Sequence, residues 1–341
     1  MKALIIEAPG QAAYRLIPTP KPGRGEVLIR VAAAGLCGTD LHIYHGEYMA
    51  KYPIIPGHEF CGTVAERGPG VHDLEVGQRV AVDPNIFCHQ CTCCRRRMHN
   101  QCLNLRAIGV NTDGAFAEYV IAPRDVIYPI GKLPFEQAAF IEPLSCIVYA
   151  MQRARPNPGD NVLVFGAGPM GCLLTQVLRR SGAAQVVVVD RVEQRLQLAK
   201  DLGAKHTILV DAKALPGGDR DSRLTEFAPR GYDFVVDATG VPEVVERAFS
   251  CLGPRGTMFL FGVCPTDARI RLNPYQVFRH DWRIVGSFAS CYTFQEAINL
   301  LQNGAVQVEP LISHRLPLER ANRAFTTIQQ DPRRMKVMIT I

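Results

Sequence analysis

The stretch NVLVFGAGPMGCLLTQVLRR, residues 161–180, decides the fold. An apolar run, NVLVF, ends in glycines and passes directly into residues with helical spacing. Gly166, Gly168 and Gly171 form a G-x-G-x-x-G pattern at that junction. The first glycine permits a tight turn, the second lets backbone approach a pyrophosphate, and the third lets helix pack on strand. The N-terminus of the helix favours phosphate charge. Asp190 closes the next apolar run, QVVVVD. A carboxylate there accepts hydrogen bonds from ribose hydroxyls and repels a 2'-phosphate, so the pattern predicts NAD in preference to NADP, softened by the adjacent Arg191.

Working outward, RVEQRLQLAKDLGA has amphipathic helical spacing, and HTILV, YDFVVDATG, PEVVERAFSCLG, GTMFLFG and DWRIVGSF continue an alternation of strand and helix. Continuous apolar strands alternating with helices predict an α/β fold: a doubly wound six-stranded parallel sheet of dinucleotide-binding type. The region before it is rich in Gly and Pro, with short apolar runs such as EVLIRVAAAG and GQRVAVDP between turns, and reads as β-rich. The tail from TFQEAINLLQNGAV to KVMITI has no core of its own, so it is expected to pack on the N-terminal region. The expected organisation is a cofactor domain, 151–287, inserted into a catalytic domain made of 1–150 and 288–341.

The 341 residues are 47% hydrophobic, enough for about two domains with real cores. A formal charge of +6, spread out apart from Arg95–Arg96–Arg97, comes with no recognition motif and argues against nucleic acid as a partner. No run approaches the roughly 20 apolar residues that span a bilayer. MKALIIEAPGQAAYRL does not read as a signal peptide, because its apolar run is short and Glu7 interrupts it. The expected compartment is the reducing cytoplasm, where clustered thiols more often bind metal or do chemistry than form disulfides.

FCHQCTCCRRRMHNQC, residues 87–102, holds five of the twelve cysteines. Cys88, Cys91 and Cys94 are separated by two residues each, and Cys102 follows. Such gaps let a turning backbone aim sulfurs at one point, and four thiolates close a tetrahedral structural zinc site. Cys93 is surplus, and His89 and His99 are possible substitute ligands. Two further patches, GLCGTDLHIYHGEY (35–48) and PGHEFCGTVAERGPGV (56–71), each offer a ligand, Cys37 and then His58 with Glu59 beside it. Sequence alone does not pair them.

Gly57-His58-Glu59 with Gly62, Gly68 and Val71 matches the zinc signature of the zinc-dependent medium-chain alcohol dehydrogenases. The Cys37-Gly38-Thr39-Asp40 patch, the four-cysteine lobe, the GAGPMG turn and PLISHRLPLERANRAF follow in that family's order, so the chain resembles it throughout. Within the family it is closest in flavour to polyol (sorbitol, xylitol, arabitol) and threonine dehydrogenases, with sugar-acid dehydrogenases nearby. The resemblance implies a Rossmann sheet inserted into a β-rich, GroES-like catalytic domain. It further implies NAD, two zinc ions per chain, a small polyol or hydroxy substrate, and a homodimer or homotetramer. Cys37, His58 and Glu142 would hold the catalytic zinc, and Cys88, Cys91, Cys94 and Cys102 the structural one. Glu59 would be an alternative or supporting carboxylate, and Thr39 and His42 would carry the proton towards solvent. Gly166, Gly168, Pro169, Met170 and Gly171 would line the pyrophosphate, Asp190 and Arg195 the adenosine ribose, and Phe288 the nicotinamide. Sorbitol dehydrogenases tend to carry arginine after the position of Phe288; here it is Ala289, which argues against sorbitol itself. A zinc-free quinone reductase and a non-catalytic relative are rivals that the cysteines and histidine disfavour.

Overall fold

Six segments between residues 161 and 286 pair side by side, all in parallel. Along the chain they are Asn161–Phe165, Gln185–Asp190, His206–Leu209, Tyr232–Asp237, Leu252–Leu260 and Arg283–Gly286. Across the sheet their order is third, second, first, fourth, fifth, sixth. This is the doubly wound arrangement, in which the order reverses between the first and fourth strands, beside Gly166. Gln185–Asp190 is buried at every position, which explains its unbroken apolar run. Leu163, Phe165, Val187, Val235 and Met258 form the centre of this core. The Arg283–Gly286 strand lies at the sheet's edge and is mostly exposed.

The computed structural model describes residues 1–48, 50–210 and 222–341. Residues 147–288 make one compact unit, and 1–146 with 289–341 make the other. The second is built on a largely antiparallel sheet in the order Ile312–Pro317, Lys336–Thr340, Glu26–Leu36, Glu59–Arg67, Arg79–Val82, Ile127–Pro129. The 11-residue strand Glu26–Leu36 is its axis, pairing with Glu59–Arg67, Tyr119–Pro123 and the C-terminal Lys336–Thr340. The register sets Gly35 opposite Glu59 and Leu36 opposite Val337. Three segments distant in sequence therefore meet where the long strand ends, just before Cys37. Val27, Ile29, Phe60, Phe116 and Ile339 fill the core beneath.

At the end of the first parallel strand, Gly166 takes φ 101° and Asp190 Oδ2 accepts the Ala167 N–H at 2.7 Å, fastening the turn to the second strand. Gly168 caps the helix Pro169–Arg180, with Pro169 pre-set for its first position. A Cβ at Gly171 would lie 1.8 Å from the Gly166 carbonyl oxygen, so helix and strand approach to a distance that no side chain permits. Gly171→Ala is therefore expected to lower the stability of unit 147–288 by about 1–3 kcal/mol, read as a lower urea midpoint.

Candidate metal centre

Cys37 stands at the junction of the Glu26–Leu36 strand and the helix Gly38–His45, at the N-cap. Asp40 organises that junction. Its Oδ2 accepts the Cys37 N–H at 2.8 Å, its Oδ1 accepts the Gly57 N–H at 3.2 Å, and the side chain is fully buried. One carboxylate thus ties the cysteine's backbone to the loop that delivers His58. The His58 Nδ1 lies 3.5 Å from Asp40 Oδ1, outside good hydrogen-bond geometry, and is a buried nitrogen with no hydrogen-bond partner among the described residues. Glu59 opens the next strand.

The ligand atoms of Cys37, His58 and Glu59 all lie within 4.8 Å of one another. Zinc–ligand bonds of 2.0–2.3 Å in a tetrahedron put ligand atoms roughly 3.3–3.8 Å apart, so small side-chain adjustments suffice to close on an ion. The electrostatics suit a cation. Burial opposes a charged His58, yet Asp40 and Cys37 outweigh it and hold the imidazole well above its ordinary value. Glu142, in the first turn of helix Ile141–Ala154, is only 8% exposed. Burial pushes its carboxyl up to about 7 against the pull of His58, with Glu59 and Asp83 adding to the rise. Cys146, one turn on, donates its S–H to Glu142 Oε1 at 3.5 Å, and burial together with Glu142 holds that thiol well above its usual value. A divalent cation beside these groups reverses the burial cost for thiolate and carboxylate alike. The donor set therefore fits zinc. Of the two carboxylates expected at this site, Glu59 lies within the 4.8 Å set and Glu142 outside it.

Thr39 Oγ1 accepts from Cys37 Sγ at 3.7 Å, which places the hydroxyl beside the trio. His42, one helical turn further, shares a 2.8 Å hydrogen bond between its Nδ1 and Glu47 Oε2 near the surface. Lys336 is the residue that sequence reasoning missed. Its Nζ donates to both Glu59 oxygens at 2.8 and 2.6 Å, and it is nearly as buried as its partner. The one visible signal was a charged residue opening the apolar KVMITI.

Cys88, Cys91, Cys94 and Cys102 converge in the same way, their sulfurs mutually within 4.8 Å and Cys91 Sγ 4.0 Å from Cys102 Sγ. Cys91 caps the short helix Thr92–Arg95, which brings Cys94 back beside it. N–H groups point at the sulfurs: Cys88 and Asn104 backbone N–H at Cys102 Sγ, and Cys91 N–H and Asn104 Nδ2 at Cys88 Sγ, all at 3.4–3.5 Å. Hydrogen bonds from Gln90, Asn104 and Cys91 hold the Cys88 thiol down to about 5, while burial pushes Cys94 up to about 12. This set fits a closed four-thiolate zinc site. Cys93 is outside the four-sulfur set. His89 and His99 instead pack their rings against each other and Phe87. None of the twelve cysteines is bridged.

In the unit 147–288, Gly168, Pro169, Met170 and Gly171 form the helix start already described. Asp190 Oδ1 accepts the Val192 N–H at 2.9 Å, so both its oxygens are held at the turn. Arg195 lies on the following helix, Glu193–Asp201; burial and Asp190 push the Cys172 thiol up to about 12, and Arg195 works against them. Phe288 is 38% exposed at the end of the unit.

A buried acid, Asp83, also emerges only from the structure. Asp83 is 4% exposed, accepts the backbone N–H and Nδ2 of Asn85 at 3.0 and 2.9 Å, and through Asn85 Nδ2 links to Ser290 Oγ at 3.1 Å. Burial pushes its carboxyl up to about 6, against those hydrogen bonds. Between the ordinary carboxylate value and about 6, the folded chain keeps a proton that the unfolded chain has released. Stability from this group is therefore complete at low pH and is lost as pH rises through that window. Asp83→Asn removes the titration. The stability of the variant relative to the parent is expected to rise by on the order of 2 kcal/mol across the window and then level off, read from urea melts at stepped pH.

Comparison with known proteins shows the family. Residues 23–132 match the alcohol dehydrogenase GroES-like domain, and residues 169–303 the zinc-binding dehydrogenase domain. D-altritol 5-dehydrogenase of Agrobacterium fabrum is 38% identical over 99% of this chain and 98% of its own length. A zinc-binding dehydrogenase of Sinorhizobium meliloti 1021, solved bound to NADP, superposes with a TM-score of 0.92 at 33% identity, covering 100% of this chain and 99% of its own. The rspB alcohol dehydrogenase of Escherichia coli CFT073, solved with NADH, gives a TM-score of 0.92 at 31% identity with the same coverage. A thiolate–imidazole–carboxylate cluster, a four-cysteine lobe and a doubly wound sheet with its glycine turn, matched along nearly the whole length, identify the chain as a member of the zinc-dependent medium-chain alcohol dehydrogenase family.

Proposed function

We propose that this chain oxidises a secondary alcohol of a polyol or sugar-derived substrate to a ketone, with NAD as the hydride acceptor. The observation that carries the reading is the convergence of Cys37 and His58 with acidic groups in a pocket built to favour positive charge. The similarity to D-altritol 5-dehydrogenase supports a polyol as the substrate class. When bound, a zinc ion would act as Lewis acid on the alcohol oxygen, and NAD would take the hydride.

The chain's own residues supply the rest. Cys37 and His58 hold the ion, with Asp40 fixing the backbone of the first and facing the Nδ1 of the second. Thr39 offers a hydroxyl beside them to receive the alcohol proton, and His42 with Glu47 passes it towards water. The four cysteines of the 88–102 lobe hold a second zinc and pin a segment with a very small apolar core. Asp190, its carboxylate fixed by two backbone N–H groups, supports a preference for NAD over NADP. Ala289 brings no charge where sorbitol dehydrogenases tend to carry arginine, which favours a polyol of another shape. The exposed edge strand Arg283–Gly286, with Ile284 43% exposed, supports a homodimer or homotetramer paired along that edge. Among the described residues no helix is long and apolar enough to cross a membrane, and we place the enzyme in the cytoplasm.

A screen of polyols, sugar acids and threonine, followed by NADH formation, tests the substrate class. Turnover confined to threonine would replace the polyol reading. His58→Ala should still bind NAD but lose nearly all turnover and one of two zinc ions per chain, measured by elemental analysis; wild-type turnover in this variant would refute the site. Gly168→Ala separates folding from ligand binding. A Cβ there meets nothing within 4 Å, so stability should hold, whereas NAD affinity should fall by about tenfold or more, because the backbone can no longer approach the pyrophosphate.

A further inference from the structure

We propose that Thr293 is a positioning residue for Glu142: its hydroxyl grips the Ser145 carbonyl and so fixes the helix turn that carries this acid beside the Cys37–His58 centre. This role rests on the zinc site described above and deepens that reading by naming what places one of its acids.

The need for a grip follows from how the chain divides. Helix Ile141–Ala154 begins in one compact unit and continues in the other, the boundary falling between Cys146 and Ile147. Glu142 has to keep its place relative to Cys37 and His58, which stand on other elements of the first unit. Cys146 holds the Glu142 carboxylate and Ser145 its backbone carbonyl, but both act from within the helix. Ile141 and Leu144 are fully buried, and apolar packing of that kind is non-directional. A hydrogen bond from outside the helix adds direction. Thr293 Oγ1 donates to the Ser145 carbonyl at 2.7 Å, and Ser145 Oγ donates to the Glu142 carbonyl at 2.6 Å. A carbonyl oxygen has two lone pairs, so a helical carbonyl can accept a hydroxyl and keep its helix bond. Thr293 is 1% exposed and Ser145 fully buried, which leaves water no access to replace the contact.

Thr293 is itself held. The segment 289–293 takes left-handed φ at Ala289 (54°) and Tyr292 (55°), a conformation that persists where the surroundings over-determine the backbone. The fully buried Ser290 meets Asn85 Nδ2 at 3.1 Å. The Tyr292 ring packs edge-on against His99 and Phe87 of the four-cysteine lobe, with centroids 4.9 and 5.7 Å apart. The Thr293 hydroxyl therefore acts from a fixed base, 148 positions from its acceptor in the chain.

The test uses the full-length protein with cobalt(II) exchanged into the Cys37–His58 site and zinc retained at the four cysteines. Thr293→Val keeps the side-chain shape and removes the donor. It should shift the visible ligand-field bands and weaken cobalt binding at this site by on the order of tenfold. Thr293→Ser should keep the parental spectrum and affinity. In a Glu142→Gln background, Thr293→Val should change affinity by less than about twofold, because the group it positions is already altered. A merely structural threonine would instead cost the same factor in both backgrounds. Ser145→Ala, which cuts the step from the gripped turn to Glu142, should weaken binding as Thr293→Val does, and this arm does not depend on Thr293→Val folding. Parental affinity in either folded variant, or an undiminished loss in the Glu142→Gln background, would overturn the proposal. A parental protein that takes up metal only at the four cysteines would refute the zinc site itself, before any variant is made.

Discussion

The constraint behind this molecule is charge balance among buried acidic groups. Four acidic side chains, Asp40, Glu59, Asp83 and Glu142, are each less than a tenth exposed in the same unit as Cys37 and His58. Burying one ionised group without a partner costs several kcal/mol. The chain meets that cost differently at each position. Asp40 accepts backbone N–H groups, Glu59 takes a buried lysine, Asp83 takes an asparagine, and Glu142 is left with a thiol and the field of His58. The last arrangement is incomplete for an anion, and burial pushes that carboxyl up to about 7.

Backbone placement does the positioning. The axis strand Glu26–Leu36 delivers Cys37 at one end, while two of its neighbours bring Glu59 and Lys336 alongside. Close approach where side chains are missing makes this possible, at Gly35 for the Glu59 carboxylate and at Gly171 for the helix on its strand. In both places the glycine admits another group to space that a Cβ would fill, so the requirement is one of packing distance. The four-cysteine lobe follows another rule: with little apolar material around Phe87, convergent sulfurs and the N–H groups aimed at them define its shape.

Much was legible in the sequence for physical reasons. A strand that ends in G-x-G-x-x-G before a helix admits few structures, and continuous apolar runs specify strands covered on both faces, so the doubly wound sheet followed from residues 161–286 alone. The four cysteines were legible because their spacing is short enough for local backbone turns to bring the sulfurs together. Resemblance, rather than spacing, linked Cys37 to His58, since about twenty intervening residues leave their separation undetermined by local geometry.

What the sequence by itself determined is therefore the set of local devices: the glycine turn, the thiol cluster and the parallel strands. Only the tertiary structure decided which carboxylate meets which cation. Lys336 lies 277 positions from Glu59, and nothing in KVMITI announces an acid as its partner. The pairing exists because the C-terminal strand joins the axis strand in a single register that sets Val337 opposite Leu36. Asp83 is similar, its Asn85 neighbour reaching Ser290 across 205 positions. Register and burial are properties of the assembled sheet, and the partners of these acids follow from them.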